Sequence, residues 1–150
     1  MKPLSLAVMM LALAASSVAQ AADGAAVFTQ HCLMCHQSGG VGLAGQFPRL
    51  AGRVGAIAAV QKARPYLVQV VSHGMAGTIT VDGQPIIGMM PPFAQIPDAD
   101  VAALLNHLIT LGKVPRKAPA PFTAEEVQSG RAAPALSATE VHALRGSLGI

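Results

Sequence analysis

The chain has no tryptophan and one tyrosine, and only 3% of its 150 residues are aromatic. Apolar residues still make up 52% of it, much of that alanine, which fills little volume. A small domain with so few bulky side chains has a thin core and needs a staple or a large apolar cofactor. A disulfide is a poor staple here. The two cysteines stand three positions apart, and a bridge across so tight a loop restricts few unfolded conformations. Charge is scarce too, at 11% of residues with a net of +3. Lys2 carries part of that surplus, and no basic cluster interleaved with aromatics occurs, which argues against a nucleic-acid partner.

A membrane-length apolar run is also missing. Leu4 to Ala15 is broken only by Ser5, yet it is shorter than the roughly 18 residues a span requires. With Lys2 before it and Ala19-Gln20-Ala21 after it, the run reads as a signal peptide over residues 1–21. The mature chain then begins at Ala22 or Asp23, without a membrane anchor, in a periplasm.

Asp23 is placed to cap a helix running into the cysteines. A glycine-rich loop follows from Ser38 to Gly45, and the alanine-rich stretch 51–63 is ambiguous. Pro65 suits the first turn of a helix over Tyr66–Ser72, closed by His73-Gly74. Thr78 to Ile87 alternates weakly around Asp82-Gly83, a pattern for a short hairpin or an extended loop. Asp98 opens the strongest helix, Ala99–Leu111, with Val101, Leu104, Leu105 and Leu108 on one face and Gly112 at its end. Residues 113–121 read as a Pro/Ala linker. Beyond it, "FTAEEVQSGR" and "LSATEVHALR" repeat one pattern. Thr123 with Glu126 and Ser137 with Glu140 fit capping boxes, so residues 122–150 read as a C-terminal extension of two short helices.

The only two thiols lie in "CLMCH", residues 32–36. A thioredoxin-like pair needs a strand before it in an α/β fold, and zinc needs two more ligands at paired spacing, which the scattered histidines do not offer. The third use of Cys-x-x-Cys-His is covalent haem attachment. Cys32 and Cys35 are spaced to lie on one helical face and bond two vinyl groups, and His36 offers an imidazole to the iron. The sixth position calls for a second ligand. Met1, Met9 and Met10 leave with the signal, and Met34 sits inside the motif. Of Met75, Met89 and Met90, the last precedes two prolines that stiffen the backbone, so Met90 is the expected ligand, with a thioether that raises the potential. His31 reads as exposed, His73 as favourable at a helix end, and His142 as part of the tail.

"CLMCH", "FPRLAGR", "TVDGQPIIGMMPPF" and "IPDADVAALLNHL" come in the order seen in class I c-type cytochromes, which residues 22–112 resemble. The pattern is most similar to single-haem cytochrome subunits or partner domains of bacterial periplasmic dehydrogenases. The resemblance implies an all-α cytochrome c fold around one haem c, carrying the Met loop and the helical appendage. It implies that the Pro48 carbonyl accepts a hydrogen bond from His36, that Leu50 lies against the haem, and that Gly24 and Phe28 meet the C-terminal helix. Arg53 is either a propionate partner or a solvated surface arginine. Two positions depart from the family pattern, with His107 where an aromatic residue usually meets the first helix and Ile86 where a tyrosine often stands. The expected role is electron transfer rather than enzymatic catalysis, from a periplasmic dehydrogenase or other redox protein to a cytochrome or terminal oxidase. The alternative is a labile sixth site that binds gas or peroxide. The extension is either a docking element for a partner or a pair of helices wrapped over the haem domain.

Overall fold

A computed structural model describes residues 23–113 and 115–150. The expected signal peptide and cleavage site lie outside the described residues, as does Val114 in the linker.

Helix α1 (Gly24–His31) starts where expected. The Asp23 carboxylate accepts hydrogen bonds from the backbone of Ala25 at 2.9 Å and Ala26 at 3.3 Å, which satisfies two orphan donors of the first turn. A short helix α2 (Leu33–His36) carries the second cysteine and the histidine. The ambiguous stretch resolves into α3 (Arg53–Ala58) and a single 3-10 turn at Gln61–Ala63. Helix α4 (Arg64–His73) has Pro65 in its first turn. It leads into an antiparallel hairpin, β1 (Met75–Val81) and β2 (Gln84–Met90), paired from Met75–Met90 to Val81–Gln84. Asp82 and Gly83 both have positive φ, at 53° and 78°, the backbone that a two-residue hairpin turn demands. The long helix α5 (Asp98–Thr110) follows. The four apolar positions expected on its inner face are all buried.

Helices α1 and α5 cross at Gly24. A Cβ there would overlap the Ala103 carbonyl, so only glycine lets the two backbones approach this closely. Next to this crossing, His107 fills the position expected of an aromatic residue, with its ring centroid 5.7 Å from that of Phe28. Ile86, the other departure, packs with Ile79 and Val81 in a small cluster of the hairpin.

The extension forms α6 (Ala124–Ala132) and α7 (Ala138–Leu148). Phe122, Val127 and Val141 are buried in the same cluster as Leu104 and Leu105, so these helices complete the core and do not simply trail from it. Arg64 buckles them on. Its guanidinium is 3% exposed, pairs with Glu126 at 2.6 and 2.8 Å, donates to the Ala120 carbonyl at 2.9 Å, and sits 3.7 Å from the Phe122 ring centroid. This pairing explains one difference from the sequence expectation. The box at Ser137–Glu140 closes in both directions, whereas at Thr123 only the Glu126 amide is bound, because Arg64 takes the Glu126 carboxylate.

Glu126→Ala leaves a buried guanidinium without its anion. The expected loss is about 2–3 kcal/mol, below that of a fully buried pair, because the Glu126 side chain stays 33% exposed. Chemical denaturation of the variant against the parent checks it.

Candidate functional site

A cavity of about 460 Å³ opens between α2, α4, α5 and the hairpin. It is too large for this small core to have left by imperfect packing, and its walls are mainly apolar. Leu50, Val54 and Ile57 line one part of it, Leu67 and Val71 another, and Leu104, Leu105 and Leu108 a third. Cys32, Cys35, His36, Arg53 and Met90 all reach the same space, with Pro48 at its margin.

Local folding aims the histidine. The turn after α2 puts Gln37 at φ 59°, and the chain comes back so that Leu50 and Ala51 both donate to the Gly40 carbonyl. Pro48 is thereby held beside the ring, its carbonyl 2.9 Å from His36 Nδ1. A proton donated there leaves Nε2 with its lone pair. Burial lowers the His36 pKa against the opposing effect of the Pro48 contact, which favours the neutral imidazole a metal needs.

The cysteines are unbridged, Cys32 buried and Cys35 half-buried. Burial first, and then the neighbouring Cys35, push the Cys32 thiol up to about 11. An activated redox thiol is shifted the other way, and among the described residues no strand precedes this pair. Among the described residues no group of three His, Cys, Asp or Glu side chains is placed to hold a metal ion. Two unpaired thiols, one oriented imidazole and a large apolar hollow fit a planar macrocycle carrying its own metal.

Met90 ends β2 half-buried on the cavity wall, while Met89 is 72% exposed. Phe93 donates its backbone N–H to the Val71 carbonyl at 2.9 Å, which ties the Met-Pro-Pro segment to α4. Met75 pairs with Met90 in the hairpin, and its sulfur accepts from the Tyr66 hydroxyl at 3.5 Å. His31 is not the exposed residue expected. It is half-buried, edge-on to Phe93 with centroids 5.8 Å apart. Tyr66 and Arg145 are among the cavity-wall residues that have no site role on sequence grounds. The only sequence signal for Arg145 is that both units of the tail repeat end in arginine.

A family profile described as cytochrome C oxidase, cbb3-type, subunit III matches residues 19–108. Two relatives are 44% identical over 131 residues, both named cytochrome c-552 and both from Thermus thermophilus. Each match covers 86% of this chain, with 98% of the first relative and 87% of the second. An overlap of that length does not fit before residue 114, so it runs into the C-terminal extension.

Arg49 holds the hairpin tip to the loop that carries Pro48, through two 2.8 Å hydrogen bonds to Asp82. The Arg49 hydrogen bond holds the Asp82 carboxyl below its ordinary range. A depressed folded-state pKa gives stability that is present above the unfolded value and lost as pH falls through the folded one. Thermal melts should therefore separate the parent from Asp82→Asn at about pH 6 and converge at about pH 2.5.

Proposed function

The chain belongs to the class I c-type cytochromes and carries one covalently attached haem c; from that premise we propose that it is a periplasmic one-electron carrier whose iron is held between His36 and Met90. Haem-based electron transfer is the work of this family. The haem supplies an iron centre that gains and loses one electron. The chain's own residues decide what else can happen there.

Cys32 and Cys35 would hold the haem by covalent attachment, with His36 beside them to bind its iron. The His36 ring is held by Pro48, so its lone pair keeps one direction. Met90 comes from a segment stiffened by Pro91 and Pro92, and little ordering entropy is lost in holding its sulfur in place. A neutral sulfur ligand favours the reduced metal. With His36 and Met90 both holding the iron, no position would be left for a substrate, and outer-sphere transfer would be the remaining chemistry. The observation that carries this reading is the convergence of both thiols, the Pro48-bound imidazole and Met90 on one apolar cavity.

Passage to the periplasm rests on the N-terminal residues, and no helix among the described residues is long and apolar enough to cross a membrane. A periplasmic dehydrogenase or other redox protein serves as donor, and a cytochrome or terminal oxidase as acceptor. Ile87 and Met89 border the cavity at 79% and 72% exposure, a rim suited to brief apolar docking.

The visible spectrum of the oxidised protein tests the ligands. The weak long-wavelength band of iron–methionine bonding is expected, and carbon monoxide should leave the reduced spectrum unchanged. Met90→Ala abolishes the band, admits carbon monoxide and lowers the midpoint potential by on the order of 0.1 V, while Met89→Ala changes none of these. Rapid carbon monoxide binding by the unaltered protein would instead indicate a labile sixth site, and loss of the band in Met75→Ala alone would reassign the ligand.

A further inference from the structure

The chain from Ser72 to Ile96 makes one excursion out of the helical core. It leaves at the end of α4, runs out along β1 and back along β2 to Met90, and rejoins the helices at Asp98, the first residue of α5. Backbone contacts help to hold its base. Phe93 donates to the Val71 carbonyl at 2.9 Å, and Ile96 donates to the Phe93 carbonyl at 3.1 Å. The Met90 carbonyl lies against Gly74, where a Cβ would overlap it.

One side chain from the extension joins both ends of this excursion. Arg131, at the end of α6, donates from Nε to Ser72 Oγ at 3.0 Å, on the outgoing side. On the returning side it donates from Nη2 to the Ile96 carbonyl at 2.9 Å and from Nη1 to the Asp98 carboxylate at 2.7 Å. All three nitrogens are used, each on a different acceptor. The guanidinium is flat and its donors form a fixed fork, so it holds those acceptors in one arrangement. Ser72 and Ile96 are both buried, and water is poorly placed to replace the cation there.

The residue before it brings Arg131 within reach. A Cβ on Gly130 would come within 2.9 Å of Val68 Cγ1, so α6 lies this close to α4 only because that position has no side chain. The buried Gln69 then donates from Nε2 to the Gly130 carbonyl at 2.7 Å. That bond sets where α6 sits along α4, and with it where the guanidinium falls.

We propose that Arg131 is a positioning residue for the sixth iron ligand: it closes the base of the excursion that carries Met90, so the C-terminal extension governs how readily the sixth site opens. The inference rests on the reading of Met90 as that ligand. Swinging Met90 away loosens the segment up to Ile96, and a charge-assisted hydrogen bond to a buried carbonyl opposes this. Without the guanidinium the closed form loses that support and the open fraction rises. An outside ligand binds through the open fraction alone, so its apparent affinity rises in the same proportion.

The test uses the full-length protein matured with haem and oxidised. It is titrated with imidazole, with loss of the long-wavelength iron–methionine band as the readout and thermal melts alongside. Arg131→Gln should lower the apparent imidazole dissociation constant by about tenfold, equal to about 1.4 kcal/mol. Arg131→Lys keeps the charge but cannot span three acceptors, and should fall between the parent and the glutamine variant. Ser137→Ala serves as the structural comparison. It removes the side-chain cap of α7, lowering the melting temperature and leaving the imidazole affinity in place. If Arg131→Gln does not mature, Arg131→Lys carries the test with the same direction of change. An unchanged dissociation constant in the variant that matures, or an equal gain in Ser137→Ala, overturns the proposal. A band that is missing from the parent, or that survives Met90→Ala, defeats the Met90 reading and the inference with it. A band present in the parent and lost in Met90→Ala, with no change on altering Arg131, defeats the inference alone.

Discussion

The fold depends on a volume that its own side chains do not fill. With one tyrosine, four phenylalanines and no tryptophan, the helices cannot close on one another, and a cavity of about 460 Å³ is left among leucines and valines. An apolar void of that size forfeits dispersion contacts along its whole lining. A covalently held macrocycle restores them and cannot be lost by dissociation. The same group thus completes the core and supplies the redox centre, and the walls that exclude water for stability also keep the metal's surroundings dry.

This dependence explains why the extension is attached so firmly. Small domains bury a small fraction of their surface, and the helices of residues 23–113 offer few large side chains. Phe122, Val127 and Val141 add to the buried cluster from beyond the linker. Their attachment runs through Arg64, a cation buried between Glu126, three backbone carbonyls and an aromatic face. Each of those partners is needed, since a guanidinium at 3% exposure is tolerable only when its donors are met. Such an arrangement fixes one docking geometry, which a purely apolar contact between alanine-rich helices would leave free to slide.

What could be read from the sequence was what local chemistry dictates. The Cys-x-x-Cys-His spacing of residues 32–36 is the one covalent haem attachment uses, so the motif points to its cofactor. The Asp82-Gly83 turn is legible because few residue pairs tolerate two positive φ values in succession, and α5 is legible from its apolar period. The length of the hairpin was not, because Met75 and Met90 at its open end pair only through the register the turn sets. The Thr123–Glu126 box was only half right, because an arginine 62 residues earlier competes for the carboxylate. Arg53 could be a surface residue or a cavity residue on sequence grounds, and the approach of α3 to the hollow puts it on the wall. Arg131 and Arg145 look equivalent as letters. Only the tertiary position of α7 separates a paired cation from one that faces the cofactor space.

The protein's electrostatics then follow from its economy of charge. A chain with 11% charged residues cannot tune a redox centre through a broad surface field, which salt screens in any case. It can do so with a few charges buried close to the site, where screening is weak and each has a large effect. Asp98 neutralises Arg131 and Glu126 neutralises Arg64, so neither contributes much field at the cavity. Arg53 and Arg145, on the cavity wall, form no ion pair among the described residues. A fold that hands out its acids in this way leaves two arginines on the cavity wall, and the C-terminal helices supply one of them.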